Sequence, residues 1–195
     1  MFPKQKFLLF LHLMNSFNDL KILSVEKNTE NSVILSFKIP ENLKKTFSFK
    51  AGQYITLEKK INDKIIRRPY SICSSPDENI LKVGIKKVKG GVFSTYANRN
   101  LKAGDFIKVS DPEGKFIYNN NNSIIAIAAG SGITPIISII KTILNKKTLS
   151  KIHLLYVNKS PEKTMFYELL KSLEFENKNR FKITWFFTEA KIKNF

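Results

Sequence analysis

Residues 124–135 are Ile-Ile-Ala-Ile-Ala-Ala-Gly-Ser-Gly-Ile-Thr-Pro. The first six form a continuous apolar run, which predicts a strand that is buried on both faces of a sheet. Proline is favoured in the first turn of a helix, so Pro135 predicts a helix over residues 134–144. A glycine turn between such a strand and a helix is where an open α/β sheet binds a nucleotide. The Gly-x-Gly-x-x-Gly fingerprint is incomplete, because Pro135 takes the place of its third glycine.

The pattern after this stretch continues to alternate between strand and helix. We expect strands at residues 152–157 and 181–187, with one helix over residues 161–173 between them. The apolar side of that helix would carry Met165, Phe166, Leu169, Leu170 and Leu173. This alternation predicts a Rossmann-like, doubly wound parallel sheet over residues 123–195.

The part of the chain before residue 119 has a different pattern. Segments rich in Ile, Val, Phe, Tyr and Thr, separated by turn residues, predict six short strands. We expect these strands at residues 20–27, 32–39, 54–60, 65–73, 80–87 and 106–109, and a short helix at residues 93–100. Six such strands predict an antiparallel β-barrel over residues 17–118, so the fold class is β followed by α/β.

Composition restricts the class of protein. The chain has 195 residues, 33 Lys and Arg against 16 Asp and Glu, and a formal charge of +17. The hydrophobic fraction of 43% supports a globular core and excludes a disordered polyelectrolyte or a collagen-like chain. Because nearly all of the cations are lysine, we interpret the excess mainly as a solvated surface, with a nucleic-acid footprint as the alternative. A positive face would also steer an acidic electron-transfer partner.

No metal site is expected. Cys73 is the single cysteine, so the chain alone cannot form an intramolecular disulfide or a four-cysteine zinc or iron–sulfur site. His12 and His153 are far apart and add no metal-ligand spacing. We expect Cys73, inside a strand, to be a small buried apolar residue.

The N-terminus imitates a secretory signal, because basic residues up to Lys6 precede an apolar run over residues 7–13. That run contains His12, is too short to span a membrane and lacks a small-x-small cleavage site. We interpret residues 1–16 as an N-terminal extension, with Met14 as a candidate natural start. A cytoplasmic protein without a membrane partner is predicted.

The first candidate site is Arg68-Pro69-Tyr70-Ser71, on a predicted strand. Side chains alternate along a strand, so Arg68 and Tyr70 should share one face. A cation, an aromatic ring and a hydroxyl this close together could grip a diphosphate, stack on a flat heterocycle and hydrogen-bond its edge. Taken alone, the pattern also fits an ordinary surface pair of Arg and Tyr.

The second candidate site is Gly90-Gly91-Val92-Phe93-Ser94, at the start of the short helix. Two glycines permit close backbone approach, and a helix N-terminus offers free N–H groups to a phosphate. The Ser94 hydroxyl could add a donor. Taken alone, the stretch also fits a simple turn with a serine cap.

Taken together, these motifs resemble the ferredoxin–NADP reductase superfamily. Arg-x-Tyr-Ser on a barrel strand, Gly-Gly-x-x-Ser opening a helix and Ala-Gly-Ser-Gly-Ile-Thr-Pro opening a nucleotide domain occur in the family's order and spacing. The likeness covers roughly residues 17–189. Residues 51–54, 67–76, 85–91 and 98–105 are most similar to the reductase subunit of phenylacetyl-CoA epoxidase, an enzyme of phenylacetate breakdown, and to related oxygenase reductases.

The resemblance implies an oxidoreductase that passes electrons from NADPH or NADH through FAD to an iron–sulfur protein or to oxygenase subunits. It implies that Arg68 pairs with the FAD diphosphate, that Tyr70 stacks on the flavin, and that Ser71 acts where hydride arrives. The other residues that it implies for the FAD site are Pro69, Ile85, Lys86, Gly91, Val92, Phe93 and Ser94.

For the pyridine nucleotide, the resemblance implies Gly130, Ser131, Gly132, Ile133, Thr134 and Pro135. Thr134 would lie near the nicotinamide and, with Ser71, serve the reaction itself. Lys159 stands where relatives often have arginine, and no acidic residue adjoins it in sequence. This favours NADPH, although an ordinary exposed lysine explains Lys159 equally well.

The family's nucleotide domain continues beyond the point where this sequence ends, and its epoxidase members carry a C-terminal 2Fe-2S domain. We therefore expect a C-terminally truncated reductase without a 2Fe-2S cluster of its own. A partial parallel sheet should expose apolar surface and a free edge, which favours weak solubility or pairing with another chain. The functional alternatives are a flavin-binding module without independent catalysis and a basic nucleic-acid-binding protein.

Overall fold

The computed structural model describes residues 16–118, 123–146 and 149–189. All six strands predicted in the first half are present: β1 (Phe17–Thr29), β2 (Ser32–Lys38), β3 (Tyr54–Ile61), β4 (Lys64–Ser71), β5 (Leu81–Lys86) and β6 (Phe106–Ser110). They form one antiparallel sheet in the order β4-β3-β6-β1-β2-β5. The Cys73 amide donates to the Lys82 carbonyl at 2.9 Å beside an Ile72–Val83 bridge, which joins the two ends of the sheet. The predicted β-barrel is confirmed.

Local sequence explains both the turns and the inward faces of the barrel. Asn62 and Asp63 have φ of 48° and 61° and connect β3 to β4. Asn and Asp tolerate this left-handed backbone better than most residues do, which suits a tight hairpin. Alternate residues of β3, such as Ile55 and Leu57, are completely buried in the barrel core. Helix α1 (Val92–Arg99) contributes Phe93 to the same core.

The second half is the predicted parallel sheet. Strands β7 (Ile124–Ala129), β8 (Ile152–Asn158) and β9 (Phe181–Phe187) lie side by side in that order. Helices α2 (Ile133–Asn145) and α3 (Tyr167–Glu176) follow β7 and β8. The positions of β7, of the helix after it and of the later strands agree with the sequence prediction.

Helix α2 also fastens the second half to the barrel. The Ser138 hydroxyl donates to the Ser74 carbonyl at 2.6 Å. Lys141 forms an ion pair with Glu78 at 3.0 Å, and their side chains are only 17% and 26% exposed. These contacts hold α2 in one position against the segment between β4 and β5.

The prediction of one continuous helix over residues 161–173 is wrong. Pro161–Lys163 is a short 3-10 helix, and α3 begins only at Tyr167. Phe166, between them, has a φ of 60°, a left-handed conformation that no α-helix contains. Its amide donates to the Asn28 side-chain oxygen at 3.0 Å, so a contact with the barrel supports the break. Phe166 is buried, whereas Leu169, expected on the same side, is 37% exposed.

The prediction that β7 is buried on both faces is also wrong. Ala126 and Ala128 are buried in the core that contains α2. Ile125 and Ile127, on the opposite face, are 73% and 72% exposed. Within residues 123–189, as far as the structure describes them, the buried side chains form one cluster on one side of the sheet, and the other side is uncovered.

The predicted N-terminal extension over residues 1–16 has no structural outcome. Residues 1–15, which include Met14 and almost all of the expected N-terminal extension, lie outside the described residues, as do residues 190–195. Among the helices that the structure describes, none is long and apolar enough to cross a membrane.

Candidate functional site

A cleft of about 390 Å³ lies where the barrel meets the parallel sheet. It brings together the three motifs that the sequence placed far apart. The cleft is lined by Arg68, Pro69, Tyr70, Ser71, Gly84, Lys86, Val88, Gly91, Val92, Phe93, Ser94, Ser131, Gly132, Thr134 and Pro135. Four of the predicted cofactor residues do not line it: Ile85, Gly130, Ile133 and Lys159.

Strand β4 supplies an arginine and a tyrosine to one wall. Tyr70 packs against Phe93 with ring centroids 5.6 Å apart. Burial raises the pKa of Tyr70 to about 12, against a smaller lowering by the Arg68 charge, so its hydroxyl stays protonated at neutral pH. Arg68 is exposed and donates to the Arg67 carbonyl at 2.7 Å. Arg67 itself pairs with Glu58, away from the cleft.

Strand β5 contributes alternate residues to the cleft floor. Gly84 and Lys86 line it, whereas the Ile85 side chain is completely buried in the barrel core. The Ile85 side chain therefore does not face the cleft, and its place beside the cofactor stays a prediction. Gly84 was missed, although the strand alternation that starts from Lys86 points to it.

Gly84 is also one of the points where the two halves touch. A Cβ at this position would lie 2.9 Å from both Met165 Cε and Thr134 Cγ2. Real Cβ atoms do not come that close to other atoms, so only glycine lets the first turn of α2 approach β5 at this distance.

The start of α1 is a tight turn that the Ser94 hydroxyl holds together. Ser94 Oγ accepts from the Val88 amide at 3.2 Å and donates to the Gly91 carbonyl at 3.3 Å. Both bonds lie within the turn, so the hydroxyl predicted to face a diphosphate has a structural role here. Among the described residues, no side chain caps the start of α1, which leaves first-turn N–H groups for a ligand.

The glycine loop after β7 contributes the opposite wall. The cleft is lined here by Ser131, Gly132, Thr134 and Pro135. In the part of the chain that the structure describes, no side chain caps the start of α2. Thr134 Oγ1 donates to the Ser131 carbonyl at 3.0 Å, which fixes that side chain.

The two other residues predicted in this loop face elsewhere. Ile133 is completely buried in the core beneath α2. Gly130 has a φ of 51°, and its carbonyl accepts from the Tyr156 hydroxyl at 2.8 Å. Lys86 Nζ lies 3.6 Å from the position a Gly130 Cβ would occupy, so this ammonium reaches across from β5 to the loop.

Lys159 lies outside the cleft, and it has an acidic neighbour in space although none adjoins it in sequence. It forms an ion pair with Glu189 at 3.0 Å, and Lys163 bonds the same carboxylate. The two lysines lower the pKa of Glu189, so the carboxylate is charged at neutral pH. The sequence did not predict this acid because Glu189 follows β9, thirty residues after Lys159.

Cys73 is buried, as predicted. Burial raises the pKa of its thiol from 9.0 to about 12. Within the described ranges, no group of three or more His, Cys, Asp and Glu side chains could hold a metal ion.

Comparison with known proteins matches both halves of the chain to family models. Residues 19–118 match the oxidoreductase FAD-binding domain, and residues 121–193 match the ferric reductase NAD binding domain. The chain belongs to the ferredoxin reductase-like, FAD-dependent oxidoreductases. FAD and a pyridine nucleotide, predicted as its cofactors, are the ligands for which these two domains are named.

Individual relatives agree with this family. The chain is 33% identical to one of the subunits of the 1,2-phenylacetyl-CoA epoxidase of Escherichia coli K12, over 92% of this chain and 51% of that protein. It therefore spans about half the length of this curated relative.

Solved structures share the fold of this oxidoreductase. The ferredoxin NADP+ reductase of Neisseria gonorrhoeae, solved with FAD and NADP, has a TM-score of 0.76 at 23% identity, over 90% of this chain and 70% of that one. Phthalate dioxygenase reductase has a TM-score of 0.77 at 26% identity, over 92% and 55% of the two chains.

The cleft of this oxidoreductase suits an anionic dinucleotide. The starts of α1 and α2, which no described side chain caps, contribute to it, and Arg68 and Lys86 line it. A Cβ at Gly132 would meet nothing within 4 Å, so the loop leaves open space there. Backbone N–H groups, cations and an open glycine loop are a donor set that binds diphosphates.

Proposed function

We propose that this chain is the flavin and nucleotide part of a reductase that passes electrons from NAD(P)H through FAD to an iron–sulfur protein or an oxygenase. One observation carries the proposal: the Arg-Pro-Tyr-Ser strand, the Gly-Gly turn and the Gly-Ser-Gly loop line a single cleft. A hydride can move directly between two rings only if both are held in the same water-poor space. We assign residues 17–118 to the flavin and residues 123–195 to the nucleotide.

For the flavin, we assign Arg68 and the first-turn N–H groups of α1 to the diphosphate. Tyr70 offers a neutral aromatic face, because a tyrosine hydroxyl is protonated at neutral pH and burial raises its pKa further, to about 12. Ser71, at the end of β4, offers a hydroxyl beside that face. When bound, FAD would supply the electronic chemistry, which is acceptance of a hydride and release of single electrons.

For the pyridine nucleotide, we assign the loop of Ser131 and Gly132 and the first turn of α2. Thr134 and Pro135 stand on the same wall of the cleft as that loop. The hydrogen bond from the Thr134 hydroxyl to the Ser131 carbonyl fixes the orientation of the side chain. Its methyl group therefore points towards Gly84. Residues of both halves thus line the space in which the nucleotide would be held.

The acceptor class and the link to phenylacetate rest on relatives. One is named as a subunit of phenylacetyl-CoA epoxidase, and another as the ferredoxin reductase component of a 3-ketosteroid monooxygenase. Neither the binding of FAD without catalysis nor the binding of nucleic acid is supported by any comparison.

An anaerobic absorbance titration tests this function. We expect the purified chain to bind added FAD and the bound flavin to bleach when NADPH or NADH is added. Bound flavin that stays oxidised with both nucleotides would contradict the reductase proposal. Running the titration with Lys159→Ala tests whether Lys159 favours NADPH despite its pair with Glu189.

Two adjacent arginines provide a matched pair of variants for the flavin site. Arg68→Ala removes a charged donor from the cleft and should weaken FAD binding about tenfold to a hundredfold, the equivalent of about 1.5–3 kcal/mol. Arg67→Ala removes the same charge from the opposite face, where Arg67 pairs with Glu58 and stacks on Phe17. Equal losses of FAD affinity in both variants would count against the role of Arg68.

A further inference from the structure

A second cavity, of about 440 Å³, lies on the barrel and shares no lining residue with the cleft. It forms where the carboxyl end of β2 and the amino end of β5 meet residues 44–49 and 76–80. We call this cavity the barrel groove. Its volume is within the range of about 300–1,000 Å³ in which small-molecule sites usually fall. Its apolar lining includes Leu23, Phe37, Ile39, Phe47, Phe49 and Ile80.

The floor of the barrel groove is fixed by the packing of the barrel itself. Phe37 and Leu81 stand opposite each other on β2 and β5, and each is 1% exposed. Phe47 is also buried, and its amide donates to the Leu43 carbonyl at 3.0 Å. Because this surface is already ordered, a ligand that binds there has little protein ordering to offset.

The wall that contains Ile80 is held in a similar way. Glu78, two residues earlier, accepts from the Ser75 amide at 2.8 Å and pairs with Lys141 of α2 at 3.0 Å. These bonds hold residues 75–78 against the second half of the chain. The groove therefore keeps its shape through contacts within the protein.

A β-bulge adds an accessible apolar side chain to the groove. Ile22 pairs with Phe37 and Ser24 with Ser36, so Leu23 is an extra residue in β1. A bulge redirects the side chain of the strand that contains it. Leu23 lines the groove and is 47% exposed, so a ligand that enters from solvent can contact it.

Two lysines stand together beside the groove. Lys38, which lines it, lies directly opposite Lys21 in the pairing of β2 with β1, and both are exposed. In the strand pairs that the structure describes, no other position sets two Lys or Arg residues directly opposite each other. Lys44 also lines the groove, but it pairs with Glu41 at 2.9 Å. None of the lining residues is acidic, so the groove has a positive end.

We propose that the barrel groove binds an aromatic carboxylate, with its ring among the apolar side chains and its carboxylate beside Lys21 and Lys38. Like charges that face each other across a strand pair destabilise the sheet, and a bound anion offsets that repulsion. An ammonium group also donates a charge-assisted hydrogen bond to a carboxylate. Aromatic rings pack favourably against phenylalanine side chains. The proposal does not depend on the flavin or on the reductase function.

A protein partner fits the groove less well than a small molecule does. Phe37 and Phe47 are only 1% and 4% exposed, so the aromatic surface is recessed and a flat protein surface would not reach it. A single ring system can enter a cavity of about 440 Å³.

Isothermal calorimetry with 2-naphthoate tests the proposal, and 2-naphthalenemethanol is the matched neutral ligand. The test variant is Lys21→Met with Lys38→Met, which keeps two unbranched side chains and removes both charges. The control variant is Lys151→Met with Lys182→Met. It removes the same charge from exposed lysines that line a different cavity, at the amino-terminal end of the parallel sheet.

We expect the unmodified chain and the control variant to bind 2-naphthoate with equal affinity. The test variant should bind it at least about tenfold more weakly, which corresponds to the loss of a hydrogen bond to a charged group. The unmodified chain should prefer 2-naphthoate to the neutral ligand by a similar factor, and the test variant should not distinguish the two. Leu23→Ser should weaken the binding of both ligands, because its contact is apolar.

Three results would overturn the proposal. Equal 2-naphthoate affinity in the test variant and the unmodified chain would show that the two lysines do not hold the carboxylate. Loss of binding in the control variant alone would place the site on the parallel sheet. Binding that weakens as the protein concentration rises would mean that a second copy of the chain occupies the groove.

Repeating the titration with FAD and NADP+ present separates the groove from the cleft. We expect the same Kd for 2-naphthoate with and without them, because the two cavities share no lining residue. Competition would assign 2-naphthoate to the cleft and would refute the groove while leaving the proposed function standing. A chain that takes up no FAD but binds 2-naphthoate through Lys21 and Lys38 would refute only the proposed function.

Discussion

Replacing Gly91 by alanine should damage the flavin side of the cleft. The backbone of Gly91 has a φ of −75°, which alanine adopts without strain. The new methyl group, however, would lie 2.5 Å from Ser94 Oγ and would also contact Val88 Cγ2. The consequence is therefore purely steric, and it falls on the turn that presents the α1 N–H groups.

The loss of stability follows from the two hydrogen bonds that the Ser94 hydroxyl would lose. Its hydroxyl bonds both the Val88 amide and the Gly91 carbonyl, so a rotation away from the methyl group breaks both bonds. Each is worth about 0.5–1.5 kcal/mol, which gives a total of about 1–3 kcal/mol. This corresponds to a Tm lower by about 2–12 °C for a chain of this size. If the whole penalty falls on the bound state, FAD affinity drops about fivefold to 150-fold.

Thermal unfolding and a flavin fluorescence titration measure the two quantities. Gly132→Ala is the control for both, because its methyl group would meet nothing within 4 Å and its φ is −62°. Adding Ser94→Ala to Gly91→Ala should bring little further loss, since the same two bonds are already broken. A Gly91→Ala protein whose Tm and FAD affinity match those of Gly132→Ala would refute the steric argument.

Three other predictions concern stability and association. Arg180→Ala should lower the free energy of unfolding by about 2–3 kcal/mol in urea titrations, because the guanidinium donates to the carbonyls of Ile143, Leu144, Lys146 and Ser150 near the end of α2. Cys73 should resist a disulfide reagent at pH 8 in the folded protein, because its thiol is buried and protonated. The free energy of unfolding should also fall as the pH rises from about 9 towards 12, because the unfolded thiol ionises while the buried one stays protonated. Ile127→Lys should reduce concentration-dependent association in light scattering, since this side chain is 72% exposed on the uncovered face of the sheet.

Each of these has a result that would contradict it. An Arg180→Ala protein as stable as the parent would mean that water satisfies the α2 carbonyls equally well. Rapid labelling of Cys73 before unfolding would show that its strand opens locally. Unchanged scattering of Ile127→Lys would assign any association to another surface.

The strands and the first two motifs could be predicted because their signals are local. Alternating apolar residues and turn residues marked all six barrel strands, with ends within a few residues of those in the structure. The apolar run before Gly130 and the proline after it marked the α/β crossover. The clustering of the three motifs was implied by resemblance alone, since no local pattern specifies which loops meet.

The errors came from contacts between distant segments. The apolar pattern of residues 161–173 suits a helix, but the chain breaks at Phe166, where Asn28 of the barrel accepts its amide. Lys159 has an acidic partner because the chain after β9 places Glu189 beside it, which its own sequence neighbours do not indicate. The side chains of Ile85 and Ile133 are buried in the two cores, so whether these residues contact a ligand stays a prediction.

Sequence by itself determined the order of strands and helices, the positions of the glycine turns and the excess of positive charge. Those properties depend on backbone conformation and on side-chain periodicity over a few neighbouring residues. Tertiary structure alone decided which residues line the cleft, that the first turn of α2 meets Gly84, and that Glu189 neutralises Lys159 and Lys163. Such properties depend on which segments, far apart in the chain, pack together and on which acids they bring beside which cations.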